Sequence, residues 1–488
     1  MSKTITLDKP NTIEADHKRR RSFGEHLTSI DIFNKFILPQ IKNSIHDYCW
    51  VDLYCGEGNL ILPILNEIQP SERIKFFKNH IYLFDIQEAM IKRCIENATK
   101  YGIPEDIAKR NIRAQDTLKE YPDFIKKTPL PIFHITNPPY LYIGYIVKHA
   151  TTETRKSLAY FEDENKGLQD LYQIALMNDL RYSIRNMIYI IPSNFLFGFS
   201  VSNQFRDNFL PSYNIKTAFI FEKKIFDFTG TNVCICHFER KPEPDKKPII
   251  FNAIKFNNKV HHRSYVLKPE NHYKAGDGFN EFVKKYKCVK PLEIEFYLTK
   301  EGVNKEIGSR KVEVIDANDY MGNSYRKITI SVNEDLYKKI INNPLFVRTV
   351  DTGSITGRVG LFPIKEVYGT DGALVTKAKY RTHPIQVFFT PTLNKKDTEL
   401  LKSYFNFIIE YFREATDSEF MTTYKYSESS YIRKYLGLSQ AKKVIETFPI
   451  LNFVDEKKQY LCNLIKQKDY DGIISLLQQY ASKNDLFK

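Results

Sequence analysis

The 488 residues predict an α/β fold, a doubly wound and mostly parallel sheet in the first half, followed by a mixed α+β second half. Three observations carry that expectation. Apolar runs of strand length alternate with helical patterns. Four successive runs each end in a polar group, at Asp52, Asp85, Gln115-Asp116 and Asn137. A proline and charge cluster at 241–248 then interrupts the pattern before its texture changes. Open parallel sheets bind ligands beyond the carboxyl ends of their strands, so four polar strand ends on one edge mark a site.

The elements follow in order. His17-Lys18-Arg19-Arg20-Arg21 is a basic run that is either solvated or reaches phosphates. Thr28 or Ser29 caps a helix whose apolar positions Ile30, Phe33, Ile37 and Ile41 keep helical spacing. Trp50 to Tyr54 is a strand leading into Cys55-Gly56-Glu57-Gly58, and glycines at 56 and 58 allow a sharp turn and close approach to a ligand. This loop has neither the third glycine of the dinucleotide fingerprint nor a Gly-Lys-Ser/Thr, so phosphate binding is not its expected task. His80 to Asp85 is a second strand, and its terminal acid either accepts from ribose hydroxyls or caps the helix that carries Ala89, Met90, Cys94, Ile95 and Ala98. Asn111 to Ala114 is a third strand, ahead of Asp116.

The fourth strand must stop at Asn137-Pro138-Pro139-Tyr140, because two successive prolines supply no ladder donor and fix φ. Such a turn holds the Asn137 side-chain oxygen and the Pro138 carbonyl as two acceptors aimed at one point, with the Tyr140 ring beside them. Two acceptors binding the hydrogens of a conjugated exocyclic amine would localise its lone pair for attack, and a ring would hold the base by stacking. Beyond it, Gly167 to Tyr182 is helical, Met187 to Ile191 is a strand, and Ile215 to Phe221 and Asn232 to Phe238 close the sheet. The boundary falls at 241–248, dividing 1–240 from 249–488. The second part has short strands at Ile249 to Phe256, Lys327 to Val332 and Ile385 to Phe389, and turns helical from about Leu400.

A formal net charge of +14 favours a polyanionic partner over a neutral small molecule. Residues 1–248 hold 34 Lys+Arg against 30 Asp+Glu, an excess of +4, and residues 249–488 hold 38 against 28, an excess of +10. The seven cysteines include no C-x-x-C pair, so they are expected as buried thiols and no metal is expected. There is neither an apolar run of membrane length nor an apolar segment at the N-terminus, which implies a cytoplasmic protein without membrane association.

The order of an Asp-x-x-x-Gly-x-Gly loop followed by Asn-Pro-Pro-Tyr resembles the gamma class of amino-methylating DNA methyltransferases of bacterial restriction-modification systems, over roughly residues 17–240. The resemblance implies a Rossmann-like methyltransferase domain, 1–240, a linker, 241–248, and a DNA-recognition domain, 249–488. It implies S-adenosylmethionine as cofactor, with Thr28, Asp52, Cys55, Gly56 and Gly58 at its methionine and sulfonium end. Asp85 would meet the ribose and Asp116 the adenine amino group, with Ile86 and Asn137 also in the cofactor set. Asn137, Pro138, Pro139 and Tyr140 would hold a flipped target base, and Phe226 would pack on that base or be a core phenylalanine. Where the family places an aromatic in the helix after 170, this chain has Ala175.

The partner is then double-stranded DNA, the product N6-methyladenine, the protein a monomer, and any cognate restriction endonuclease a separate chain. N4-cytosine methylation, an RNA or protein N-methyltransferase, and a non-catalytic DNA-binding specificity module are the alternatives. Arg358, in the glycine-rich stretch 352–360, is expected to enter a groove unless that stretch is a plain hairpin turn. Tyr424 and Lys425, with Arg433 and Lys434 behind them, are a second candidate DNA contact or else a solvated helix face.

Overall fold

The computed structural model describes residues 28–149, 155–198, 201–222, 232–257, 259–352, 357–377, 384–423 and 433–482. The chain divides into two compact units. The first runs to Ala275, and the second starts at Gly276.

The first unit is built on nine strands: β1 (Cys49–Asp52), β2 (Ile81–Asp85), β3 (Ile112–Ala114), β4 (Ile132–Thr136), β5 (Asn186–Pro192), β6 (Tyr213–Phe221), β7 (Val233–Arg240), β8 (Ile249–Phe256) and β9 (Val260–Leu267). They form one sheet in the order β3-β2-β1-β4-β5-β7-β6-β8-β9. From β3 to β5 all neighbours are parallel, β7 runs against both β5 and β6, β8 is parallel to β6, and β9 returns antiparallel. Strands β1, β4 and β5 are buried at every residue, as expected where helices cover both faces. The helix Glu88–Lys100 buries Met90, Ile91, Cys94 and Ala98, the i, i+4, i+8 stripe its sequence carries. Strand order reverses between β1 and β4, which makes their carboxyl ends the switch point of the sheet.

The boundary expected at 241–248 is corrected by β8 and β9, which continue the same sheet to Leu267. The proline cluster is a tight corner, not a linker. Lys241 is buried with its ammonium 2.7 Å from Asp245 Oδ1, and the Asp245 N–H donates to the Pro211 carbonyl at 2.9 Å. That anchorage lets the chain leave Pro248 directly into β8, alongside β6.

The second unit is mixed α+β. Strands Glu293–Phe296, Ile385–Thr390, Leu345–Arg348 and Gly360–Pro363 form an antiparallel sheet, and the long hairpin Arg310–Met321 and Ser324–Val332 belongs to another. The helix Lys395–Thr416 starts where Asn394 accepts the Asp397 N–H at 2.9 Å, and it buries Leu400, Leu401, Tyr404, Phe405, Ile408, Ile409 and Phe412 in a core of its own. The C-terminal part is helical, as its periodicity predicts. No helix among the described residues is long and apolar enough to cross a membrane.

Candidate active site

The site begins at the ends of β1 and β4. Asp52 closes β1 and is 1% exposed; its Oδ1 accepts from the Tyr54 N–H at 3.0 Å and from the Thr136 hydroxyl at 2.6 Å. Burial pushes its carboxyl up to about 6, against the lowering effect of those hydrogen bonds. Beneath it, a buried network joins the strands. Asp179 accepts from the hydroxyls of Tyr121 at 2.5 Å and Tyr189 at 2.7 Å and meets His134 Nδ1 at 2.6 Å. The Leu53 N–H donates to His134 Nε2 at 3.2 Å, which assigns the ring proton to Nδ1 and ties β1 to β4.

Asn137 follows β4 directly. Its Nδ2 donates to Thr28 Oγ1 at 2.9 Å, and its Oδ1 meets the Tyr140 hydroxyl, which also contacts the Ile190 carbonyl at 2.6 Å. Thr28 accepts and Tyr140 donates, so the two fix which way the amide points. The chain after the turn is held by Asp170, whose Oδ1 accepts the Leu141 N–H at 2.9 Å. Tyr140 is buried, with its ring edge-on to Tyr172 at 6.4 Å, and burial pushes its hydroxyl well up. In this conformation Tyr140 therefore positions Asn137, where sequence reasoning expected an open stacking platform. The turn needs an aromatic at 140 for either role, and the local sequence does not distinguish them.

A small cavity brings together Thr28, Asp52, Cys55, Gly56 and Asn137 from the expected set, with Tyr54, Glu57, Asn59 and Leu60. Asn59 was not singled out in the sequence; its Nδ2 donates to the Thr28 carbonyl at 3.0 Å and so holds in place the threonine just ahead of the first helix. Gly56 has φ +52°, and its N–H donates to Asp85 Oδ2 at 2.9 Å. Gly58 is not a cavity residue. A Cβ there would lie 2.7 Å from both Cys94 Sγ and Leu62 Cδ1, and with φ +82° its glycine serves internal packing. Cys55 is buried, which pushes its thiol well up and makes it an inert wall.

Asp85 also takes the Gln87 N–H on Oδ1 at 2.9 Å, so each oxygen has one backbone partner and keeps capacity for another. Burial raises its carboxyl. Ile86 beside it is 59% exposed, an apolar surface next to an acceptor. Asp116, half-buried, accepts from the Tyr160 hydroxyl at 2.7 Å. Tyr160 lies in a short 3₁₀ helix, Ser157–Phe161, ahead of the helix Leu171–Arg181. Ala175 is buried in that helix. Ile86 and Tyr160 therefore supply the apolar surface near Asp85 and Asp116 that Ala175 does not.

A family model described as N-6 DNA methylase matches residues 16–335, about two thirds of the chain. The chain belongs to the N-6 DNA methylase family. No curated protein matches it. Among solved structures similar to this chain is a modification subunit of a putative type I restriction enzyme from Vibrio vulnificus YJ016, at 15% identity and TM-score 0.36, covering 52% of this chain and 54% of that one. A methyltransferase subunit of a type I restriction-modification system from Streptococcus thermophilus is 13% identical with TM-score 0.32, over 52% and 56% of the two chains. The type IIL restriction-modification enzyme MmeI, solved with DNA, is 12% identical with TM-score 0.44, over 95% and 76%. The chain spans about half the length of the two type I subunits.

The remaining expected residues of the chain divide. Phe226, Tyr424 and Lys425 lie outside the described residues. Arg358 is paired with Glu410 of the long helix at 2.5 Å, so it fastens that helix and is not the bare tip of a loop. Lys434 is buried, and its ammonium donates to the Asp417 carbonyl at 2.7 Å, which makes it a structural tie. Arg433 is exposed. Six of the seven cysteines are buried, and no group of three or more His, Cys, Asp or Glu suited to a metal occurs among the described residues.

Proposed function

We propose that this chain is an S-adenosylmethionine-dependent DNA methyltransferase that modifies the exocyclic N6 amine of adenine within a restriction-modification system. The observation that carries the reading is the junction of Asp52, Thr28 and Asn137 at the β1/β4 switch point of a family fold. The donor set fits the cofactor. A buried carboxylate at the cavity suits a positively charged methionyl sulfonium, Asp85 keeps one acceptor site on each oxygen for a ribose diol, and exposed Ile86 suits the face of an adenine. Bound there, S-adenosylmethionine supplies an electrophilic methyl group.

This chain's own part is to present the amine. In this conformation the Tyr140 hydroxyl donates to Asn137 Oδ1, and an N–H of the target amine would take its place on that oxygen. The Pro138 carbonyl is the second acceptor. Together they localise the nitrogen lone pair, and the proton leaves after the methyl has transferred, so no base is needed beforehand. Extrusion of the base from the duplex costs a few kcal/mol of unstacking. Tyr140 would have to turn out of its buried place to offset that cost by stacking, and the Asn137 amide then exchanges its hydroxyl partner for the base.

Incubation of the purified protein with S-adenosylmethionine and unmethylated genomic DNA, followed by nucleoside analysis, tests the reading. N6-methyladenine is the expected product. N4-methylcytosine would change the target, and an unmodified digest with a folded, cofactor-binding protein would remove the DNA substrate.

A further inference from the structure

The cofactor reading needs a negative charge at Asp52, in a place where solvent does little to sustain one. That carboxyl is 1% exposed, and burial pushes it up, toward the neutral form. The acids nearby do not help. Asp85, at the end of the neighbouring β2, opposes the charge, and Glu57, which shares the cavity, is another carboxylate, paired with Arg93 at 3.1 Å. Burial keeps the Cys55 thiol neutral. From β4, His134 acts on Asp52 through space while its ring nitrogens meet the Leu53 N–H and Asp179, and the Tyr54 N–H adds one bond of 3.0 Å. The group that lowers the carboxyl most is the Thr136 hydroxyl.

Thr136 closes β4, fully buried, with its Oγ1 2.6 Å from Asp52 Oδ1. Among the described residues it is the one side chain that donates a hydrogen bond to Asp52. An ionised carboxylate only accepts, so the threonine donates, and 2.6 Å is the length of an O–H···O bond to a charged oxygen. Strand packing does not ask for that hydroxyl. In a strand buried at every residue, valine has nearly the same shape and no polar atom to satisfy. Oδ1 takes the bonds from both Thr136 and Tyr54, which leaves Oδ2 for the cavity that Asp52 lines. We propose that Thr136 is a positioning residue of the cofactor site: its hydroxyl, held by β4, keeps the Asp52 carboxylate ionised and turned toward the bound cation. The inference rests on the cofactor reading and goes beyond it by naming what sustains the charge.

Calorimetric titration of the full chain with S-adenosylmethionine, from about pH 5.5 to about pH 8.5, tests it. In the wild type, affinity should fall roughly fourfold between about pH 7 and about pH 5.5. Thr136→Val keeps the shape and removes the donor, so the same fall should lie about one pH unit higher, with affinity at about pH 8.5 within about twofold of the wild type. Thr136→Ser, which keeps the donor, should restore the wild-type profile. Thr117→Val is the control for a structural effect. Thr117 is 2% exposed and its hydroxyl donates to the Leu53 carbonyl at 2.6 Å, so it ties the same strand end without touching Asp52. Its loss should lower the thermal midpoint and leave the pH profile in place. An unshifted profile in Thr136→Val, or an equal loss of affinity at every pH, would overturn the role of Thr136 while the cofactor reading stands. Absence of S-adenosylmethionine binding by the wild type at every pH would overturn the cofactor reading, and this inference with it.

Discussion

In the proposed reaction Asn137 is the residue on which the chemistry turns, and its amide is oriented from both sides, by Thr28 Oγ1 and by the Tyr140 hydroxyl. Asn137→Ala should slow single-turnover methyl transfer by about 100-fold or more, since one preorganised acceptor at the reacting centre is lost. Tyr140→Phe keeps the ring and removes the hydroxyl that orients the amide, so a rate between those of the wild type and Asn137→Ala is expected, with cofactor affinity retained. A wild-type rate for Asn137→Ala would dismiss the turn as the catalytic element. Asp52 makes a second prediction. Its carboxyl is raised from 3.8 to about 6 by burial, so between those values the folded chain keeps a proton that the unfolded chain has shed. Its contribution to stability is therefore full below pH 3.8 and is lost as the pH rises through about 6. Cofactor binding runs the other way, because a cation at the cavity needs the ionised form. Affinity should fall roughly fourfold between about pH 7 and about pH 5.5, with proton release on binding below neutrality. Calorimetry in two buffers of different ionisation enthalpy reads both quantities, and a flat affinity without proton release would place Asp52 outside the site.

At the scale of elements, β1, β4, β5 and the helix Leu171–Arg181 are joined under the site by one carboxylate. Asp179 is fully buried and serves Tyr121, Tyr189 and His134 at once. Asp179→Asn keeps the shape but replaces an acceptor oxygen with a donor that faces donors, at a cost of about 2–3 kcal/mol. The thermal midpoint should drop by roughly 4–12 °C. Methyl transfer at low temperature should persist, because no group of this network touches the reacting atoms, and an unchanged midpoint would show that the network is not the fastening it resembles. The strand ends above it were legible because each apolar run stops at an acid or at a proline, which is a local signal. Asp179 was not, since its three partners lie 58, 10 and 45 residues away. The same reason hid Lys434 and Arg358. Both look like solvated cations until Asp417 and Glu410 are brought to them by the fold.

For the whole molecule, the corrected boundary changes what the charge says. Read against a division at 248, the basic excess sat in the second half. Divided at Ala275, residues 1–275 hold 39 Lys+Arg against 31 Asp+Glu, and residues 276–488 hold 33 against 27, so the excesses are +8 and +6. The difference comes from β8, β9 and the chain up to Ala275, which carry Lys255, Lys259, Arg263, Lys268 and Lys274 against a single acid, Glu270. A proline cluster reads locally as a linker, and only the pairing of β8 with β6 reveals it as a corner within one sheet. Net charge therefore does not single out the second unit as the DNA-binding half, and both units should contribute to phosphate contacts. Six such contacts would lower duplex affinity about 1000-fold between ~50 and ~200 mM salt. Reversing Lys246 and Lys259 to Glu, both exposed in the first unit, should flatten that salt dependence about as much as reversing the exposed Lys290 and Lys311 in the second. Salt titrations of duplex binding for the two double variants provide the comparison. If the first pair leaves the slope untouched while the second flattens it, the even division of charge is irrelevant to binding, and the second unit alone grips the backbone.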